Sequence, residues 1–171
     1  MDVQIGLPEQ PIFSVGELNQ KIVVIANDLT GKFVTAGFWP EASLSITGDR
    51  IDRFTSFQFV AHLGGYYKIY CPAHKSFCSA FGKDWPLQPR VADEQWSHFD
   101  VTMDASGAIT IESTASIARA ANCSFLSLPS NYDVDKSLRV CEAKPVPVRG
   151  TFHAYELGAF PGVDPYQALS S

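Results

Sequence analysis

Three times along the chain an isoleucine is followed eight residues later by a second apolar residue: Ile25 by Phe33, Ile69 by Phe77, and Ile109 by Ile117. Self-similarity of this kind constrains a fold more tightly than local propensity, because one small unit must bury its apolar side against copies of itself. Each interval fits a hairpin. A third apolar anchor follows at similar distance: Leu44 is eleven residues past Phe33, Leu87 ten past Phe77, and Leu128 eleven past Ile117. A fourth segment repeats its internal spacing, with Phe54, Phe57 and Phe59 in FTSFQF matched by Trp96, Phe99 and Val101 in WSHFDV. Phe152 and Ala154 in TFHA take the same slots in the third copy, displaced by an insertion that we place in NYDVDKSLRVCEAKPVPVRG. The Pro-rich end of that insertion cannot be a central strand, since proline offers no ladder N–H.

The segments carrying these anchors alternate apolar and polar residues and are rich in β-branched and aromatic types, as in KIVVIAN, GKFVTAG, SLSIT, SFQFVAH, YYKIYC, HFDVTM and AITIES. Gly, Pro, Asp and Asn lie between them, which reads as strands and turns. SIARAANC is briefly helical in pattern, but its length and flanks assign it to a hairpin arm. Twelve strands in three four-strand units are what a β-trefoil requires: six strands closing a short barrel and three hairpins capping one end. A sandwich also uses many short strands but predicts no threefold register. The expected fold is therefore all-β, one β-trefoil over residues 20–157 with an insertion in its third repeat. Residues 1–19 read as an irregular lead-in, with Phe13 and Val15 against the barrel wall. Residues 158–171, with Pro161, Gly162 and Pro165, read as an irregular C-terminal tail.

Thirteen basic against eighteen acidic residues give a net charge of −5, so no general field attracts phosphate backbones or anionic lipid, and nucleic acid is excluded as a partner. No stretch is long and apolar enough for a membrane helix, and MDVQIGLPEQPIF lacks the basic and apolar blocks of a secretory signal. Those features point to the cytoplasm. Cys71, Cys78, Cys123 and Cys141 form no C-x-x-C pair and have no clustered histidines, so no metal site is expected. Cys71 and Cys78 flank PAHKSF and could face one another across two strands, but a reducing compartment favours thiols.

Two Trp-Pro pairs, Trp39-Pro40 and Trp85-Pro86, fall at matching places in copies one and two. A tryptophan stiffened by a following proline is a stacking platform for a sugar or flat ring. The alternative is that both rings plug the barrel end as core. Asp84 precedes the second tryptophan, and His74 sits in the loop CPAHKSFC beside Lys75, where solvent exposure is expected. His62, His98 and His153 lie in or beside fourth strands, with Asp100 two residues after His98 and Glu156 three after His153. Positions i and i+2 share a strand face, so His98 with Asp100 could make a general base and its orienting carboxylate, or a surface ion pair. Convergence of His98 and His153 near the axis would complete a catalytic set. There is no nucleophile elbow, phosphate loop or H-E-x-x-H, and no cofactor is implied.

GKFVTA at 31–36, followed by SLSI and TSFQFV, resembles the repeat of fascin-like β-trefoils, the fold of actin-crosslinking proteins; KSFCSA at 75–80 with WSHFDV is a second copy, and SIARAA at 116–121 departs from it. The resemblance implies a trefoil and, for function, association with actin. Bundling needs several trefoils and a basic face, for which Arg50, Arg53, Lys68, Lys75 and Lys83 are the available residues. The Q-x-W triplet of ricin-type trefoils is absent. The leading expectation is a non-catalytic binding protein that presents loops to a protein or carbohydrate partner through Trp39, Trp85, Asp84 and His74. The alternative is a small-molecule isomerase or cyclase with a pocket in the barrel, using His98, Asp100 and His153.

Overall fold

The computed structural model describes residues 7–37, 42–80, 86–90 and 95–158. Its first repeat holds β1 (Ile22–Asn27), β2 (Phe33–Ala36), β3 (Leu44–Gly48) and β4 (Phe57–Ala61). The second holds β5 (Tyr67–Cys71), β6 (Ser76–Ser79), β7 (Gln88–Arg90) and β8 (Phe99–Met103). The third holds β9 (Ile109–Ser113), β10 (Phe125–Ser127), β11 (Arg139–Glu142) and β12 (Phe152–Leu157). The first and fourth strands of each copy close a six-strand antiparallel barrel through the pairs β1·β4, β4·β5, β5·β8, β8·β9, β9·β12 and β12·β1. The second and third strands form the hairpins β2·β3, β6·β7 and β10·β11. This is a β-trefoil.

Threefold equivalence can be read from the ladders. Val23, Tyr67 and Ile109 pair with Phe57, Phe99 and Phe152 at the start of the fourth strands, and the three phenylalanines have no exposed surface. Each such ring contributes roughly 1.5–3 kcal/mol by leaving water. Two residues on, Ile25, Ile69 and Ile111 form the next inward layer. At the hairpins a closed ring of backbone hydrogen bonds surrounds the axis. The Leu44 amide donates to the Leu87 carbonyl at 2.7 Å, Leu87 to Leu138 at 2.9 Å, and Leu138 back to Leu44 at 3.0 Å. A second threefold set joins hairpin to barrel, from Ala36 to Phe54, Ala80 to Trp96 and Leu128 to Arg149, at 2.9, 3.2 and 3.2 Å.

The third copy corrects the sequence reading. The residue equivalent to Phe33 and Phe77 is Phe125, which pairs with Glu112 as Phe33 pairs with Ala26 and Phe77 with Tyr70. Ile117 instead lies on a short helix, α2 (Ser116–Ala120), and is 66% exposed. The axial leucine is Leu138, whereas Leu128 occupies the place of Ala36 and Ala80. Part of the extra length therefore sits between β9 and β10, as helix α2, rather than wholly in the Pro-rich stretch.

The turn after the first strand needs a left-handed residue. Gly31 supplies it in copy one at φ 69° and Lys75 in copy two at φ 51°; in copy three Asn122, at φ 55°, ends helix α2. Asn27 is fully buried and fastens the same turn of copy one to copy three. Its Oδ1 accepts from the amides of Leu29 and Thr30 at 3.1 and 3.2 Å, and its Nδ2 donates to the carbonyls of Val148 and Arg149 at 3.3 and 3.2 Å.

The lead-in packs with different residues from those expected. Ile12 and Leu18 enter the core, Leu18 from helix α1 (Val15–Leu18), while Phe13 is 48% exposed. Backbone bonds from Ile12 to Ala154 at 2.8 Å and from Gln20 to Phe59 at 2.7 Å hold this segment to the barrel. Among the described residues no helix is long and apolar enough to cross a membrane.

Candidate functional site

Close packing of the three inward layers leaves only a void of about 10 Å³ on the axis, lined by apolar side chains including Ile25, Ile69, Ile111 and the leucines of the ring. That is about the space of one water, with no polar group to hold it. A substrate has no room there, so chemistry or recognition at this axis must take place on the outer surface.

Trp39, Asp84 and Trp85 lie outside the described residues, as does Lys83. Pro86, which follows Trp85, bridges to Arg139 in an antiparallel ladder contact. His74 is not the solvated loop residue expected from sequence. It is half-buried, its Nε2 lies 2.6 Å from the carbonyl oxygen of Gly37, and its ring meets Phe54 edge-on at 6.4 Å. Gly37 also donates to the Ser43 carbonyl at 3.1 Å, closing the stem of the segment that contains Trp39. His74 thus clasps the first hairpin to the turn of the second repeat.

The residues expected to form a catalytic set are separated. Strand pairing puts His153 beside the Phe152·Ile109 rung, whereas His98 precedes Phe99, whose partner Ser113 is at the other end of β9. Asp100 is taken by Arg119 at 2.5 Å, and Arg119 also reaches Glu112 at 3.4 Å. Glu156 pairs with Lys21 at 3.3 Å rather than with His153. The carboxylate that does orient His153 comes from the far end of the chain. Asp28 Oδ1 sits 2.6 Å from Nδ1, its Oδ2 accepts from the Thr151 hydroxyl at 2.7 Å, and Nε2 faces the Ser106 carbonyl at 3.3 Å. With both ring nitrogens facing acceptors, His153 serves as a cross-repeat tie.

His98 enters a different arrangement, which sequence spacing did not reveal. Pairing of Tyr67 with Phe99 brings Tyr66 alongside His98, with ring centroids 3.9 Å apart and planes 15° from parallel. His62 stacks on Tyr66 at 4.6 Å and 8°. The turn between β4 and β5 is shaped for this. The His62 amide donates to the Tyr66 carbonyl at 2.8 Å, Gly65 adopts φ 86°, and a Cβ at Gly64 would lie 2.7 Å from the Tyr66 ring. His62 is exposed, Tyr66 and His98 are half-buried, and Leu63 at the turn tip is fully exposed.

The basic residues are also placed differently from what was expected. Lys68 does not contribute to an open basic face: it is 6% exposed, with its ammonium 5.1 Å from the centre of the Phe77 ring. Arg50 pairs with Asp52 at 3.4 Å, and the Arg53 guanidinium lies 5.0 Å from the Phe54 ring centre. Cys71 and Cys78 are buried thiols; burial pushes Cys71 up to about 12, and burial followed by the neighbouring Cys71 raises Cys78. Both are unreactive at neutral pH. Among the described residues no three His, Cys, Asp or Glu side chains gather as a metal site would require.

No protein-family model matches the chain, and no curated protein matches it in sequence. Solved structures do. The chain is similar to ThreeFoil, a designed 3-fold symmetric protein, at TM-score 0.67 and 10% identity over 80% of this chain and 99% of that one. It is similar to SeviL, solved bound to the asialo-GM1 saccharide, at TM-score 0.61 and 11% identity over 81% of this chain and 98% of that one. A salivary protein from Culex quiquefasciatus of the Cysteine and Tryptophan-Rich family matches at TM-score 0.62 and 10% identity, over 82% and 96% of the two chains. At such identities the likeness carries the fold and no more.

Proposed function

We propose that this chain is a non-catalytic binding protein that takes a carbohydrate partner on its outer surface. The observation that carries the reading is the filled axis: with a void of about 10 Å³ among the inward layers, the axis has no room for a substrate, which favours recognition on the outer surface. Two further observations support it. The candidate acid–base residues are split among unrelated ties, Asp100 to Arg119 and His153 to Asp28, which weighs against catalysis by that set. The Gly37 carbonyl, two residues before Trp39 in the sequence, is held by His74. SeviL, whose fold is similar, was solved bound to a saccharide, which is consistent with this reading.

The test is a glycan array probed with the intact protein, followed by Trp39→Ala and Trp85→Ala. The reading expects a defined set of glycans, with binding lowered about tenfold by at least one substitution. An array without signal for the folded wild type would overturn it. Signal unaffected by either substitution would move the site away from the Trp-Pro segments.

A further inference from the structure

The third hairpin holds a pair of cysteines that differs from Cys71 and Cys78 in access. Those two are buried thiols of the core, whereas Cys123 and Cys141 are half-buried thiols at the surface. Cys141 lies in β11 at a break in the ladder. Phe125 pairs with Glu142 and Leu126 with Val140, so Cys141 is the extra residue of a bulge, which turns a side chain out of the regular pleat. Copy one has the same bulge at Thr47, between the Phe33·Gly48 and Val34·Ile46 pairs, but there the preceding turn is short. Among the described residues only copy three inserts a helix at this turn, and the helix delivers Cys123 to the bulge: its amide donates to the Ala118 carbonyl of α2 at 2.9 Å.

The Cys123 sulfur lies 3.4 Å from the Cys141 carbonyl oxygen, although the two residues are 18 positions apart. A carbonyl oxygen is about 2.4 Å from its own Cα, so this sulfur is within about 6 Å of the Cys141 Cα. The Cys141 sulfur now faces the Ser127 carbonyl at 3.9 Å, a weak contact that rotation about Cα–Cβ gives up easily. A cysteine sulfur reaches about 2.8 Å from its Cα; aimed at Cys123, it leaves a gap of about 3 Å at the limit of that reach, against about 2 Å in a disulfide. A shift of that size falls on a helix end and a bulge, which a regular ladder does not hold.

We infer that Cys123 and Cys141 form a redox pair, which a small-molecule disulfide such as glutathione disulfide oxidises to a bridge that clamps the end of α2 to β11. One cysteine thiolate attacks a sulfur of the oxidant, breaking its S–S bond and releasing one thiolate; the other cysteine then displaces the second thiolate from the mixed disulfide. Two cysteine thiols are oxidised, one disulfide is reduced to two thiols, and the two cysteine protons pass to the released thiolates. The closed loop contains β10 and the axial Leu138, so the bridge restrains the third hairpin. This property is independent of the carbohydrate reading.

The experiment treats the intact protein with glutathione disulfide and reads its mass, a peptide map and a melting curve, before and after reduction. Loss of two hydrogens per chain is expected, with one linked Cys123–Cys141 peptide, unmodified Cys71 and Cys78, and a melting temperature raised by several degrees that a reductant returns. Cys123→Ser and Cys141→Ser are each expected to stop at a single glutathione adduct. A wild type that carries glutathione on both cysteines without a bridge would overturn the pair, as would one that stays unmodified while the urea-unfolded chain reacts. A Cys71–Cys78 bridge formed instead would also overturn it. A bridged form that melts no higher than the reduced one would overturn the clamp.

Discussion

The amide of Leu138 donates to the carbonyl of Leu44 at 3.0 Å, closing a ring that passes through all three repeats. Removing the Leu138 side chain opens a cavity where three hairpins meet and few atoms can shift to fill it. Leu138→Ala is expected to cost about 2–5 kcal/mol in denaturant unfolding. Ile117→Ala, on the exposed face of α2, should stay within about 0.5 kcal/mol. Equal losses at the two positions would contradict the register given for the third repeat.

Lys75 and Gly31 occupy equivalent left-handed turn positions, yet only Gly31 is of the type that adopts this conformation without strain. Lys75→Gly is expected to stabilise the protein by about 0.5–1 kcal/mol, because relief of strain outweighs the added chain entropy. Gly31→Ala should destabilise by about 1 kcal/mol. Thermal melts of the two variants against the parent check both signs.

Asn27 satisfies donors from its own turn and acceptors from the segment before β12, with no exposed surface. An alanine there removes all of these side-chain bonds from a buried position and leaves the Thr30 amide without its acceptor, and a loss of about 1–3 kcal/mol is expected. Aspartate, which can accept but not donate, should recover only part of it. Full recovery by aspartate would show that the contacts to Val148 and Arg149 do little.

Asp135 joins the third hairpin through Ser137 and Arg139. The Ser137 hydroxyl at 2.6 Å is the chief cause holding its carboxyl below the usual value of 3.8, with the Ser137 amide and Arg139 assisting against partial burial. A depressed folded value means that the stabilisation is complete above the unfolded pKa and is lost as pH falls through the lower folded one. The melting difference between the parent and Asp135→Asn should therefore be constant near neutrality and shrink below about pH 4. A difference unchanged in acid would remove the charge from the account.

The first two repeats were legible because their spacings agree to within two residues, so Ile25, Phe33, Leu44 and Phe57 recur nearly in step as Ile69, Phe77, Leu87 and Phe99. The third was misread for a physical reason. Ile109 and Ile111 are both inward residues of one alternating strand, and a period of two gives no means of choosing which begins the count. Counting from Ile109 lands on Ile117 by coincidence, and the helix inserted after β9 conceals the match of Ile111 with Phe125. The surface groups were less legible because their partners are set by closure of the barrel. Asp28 meets His153 only because β1 pairs with β12, and Tyr66 meets His98 only because β5 pairs with β8. Neighbours such as Asp100 and Glu156 are close in sequence to a histidine but committed to Arg119 and Lys21. The one available signal for the ring stack was Gly64 beside Gly65, where a single glycine would have served a turn.

The central claim is that the protein binds a sugar on its outside and leaves it chemically intact. Calorimetric titration of the folded protein with the best glycan from the array, followed by mass analysis of the recovered glycan, tests it most directly. Saturable binding with the glycan returned unchanged is the predicted result. Conversion of the glycan to a product, or no heat of binding to any glycan by the folded protein, would contradict it.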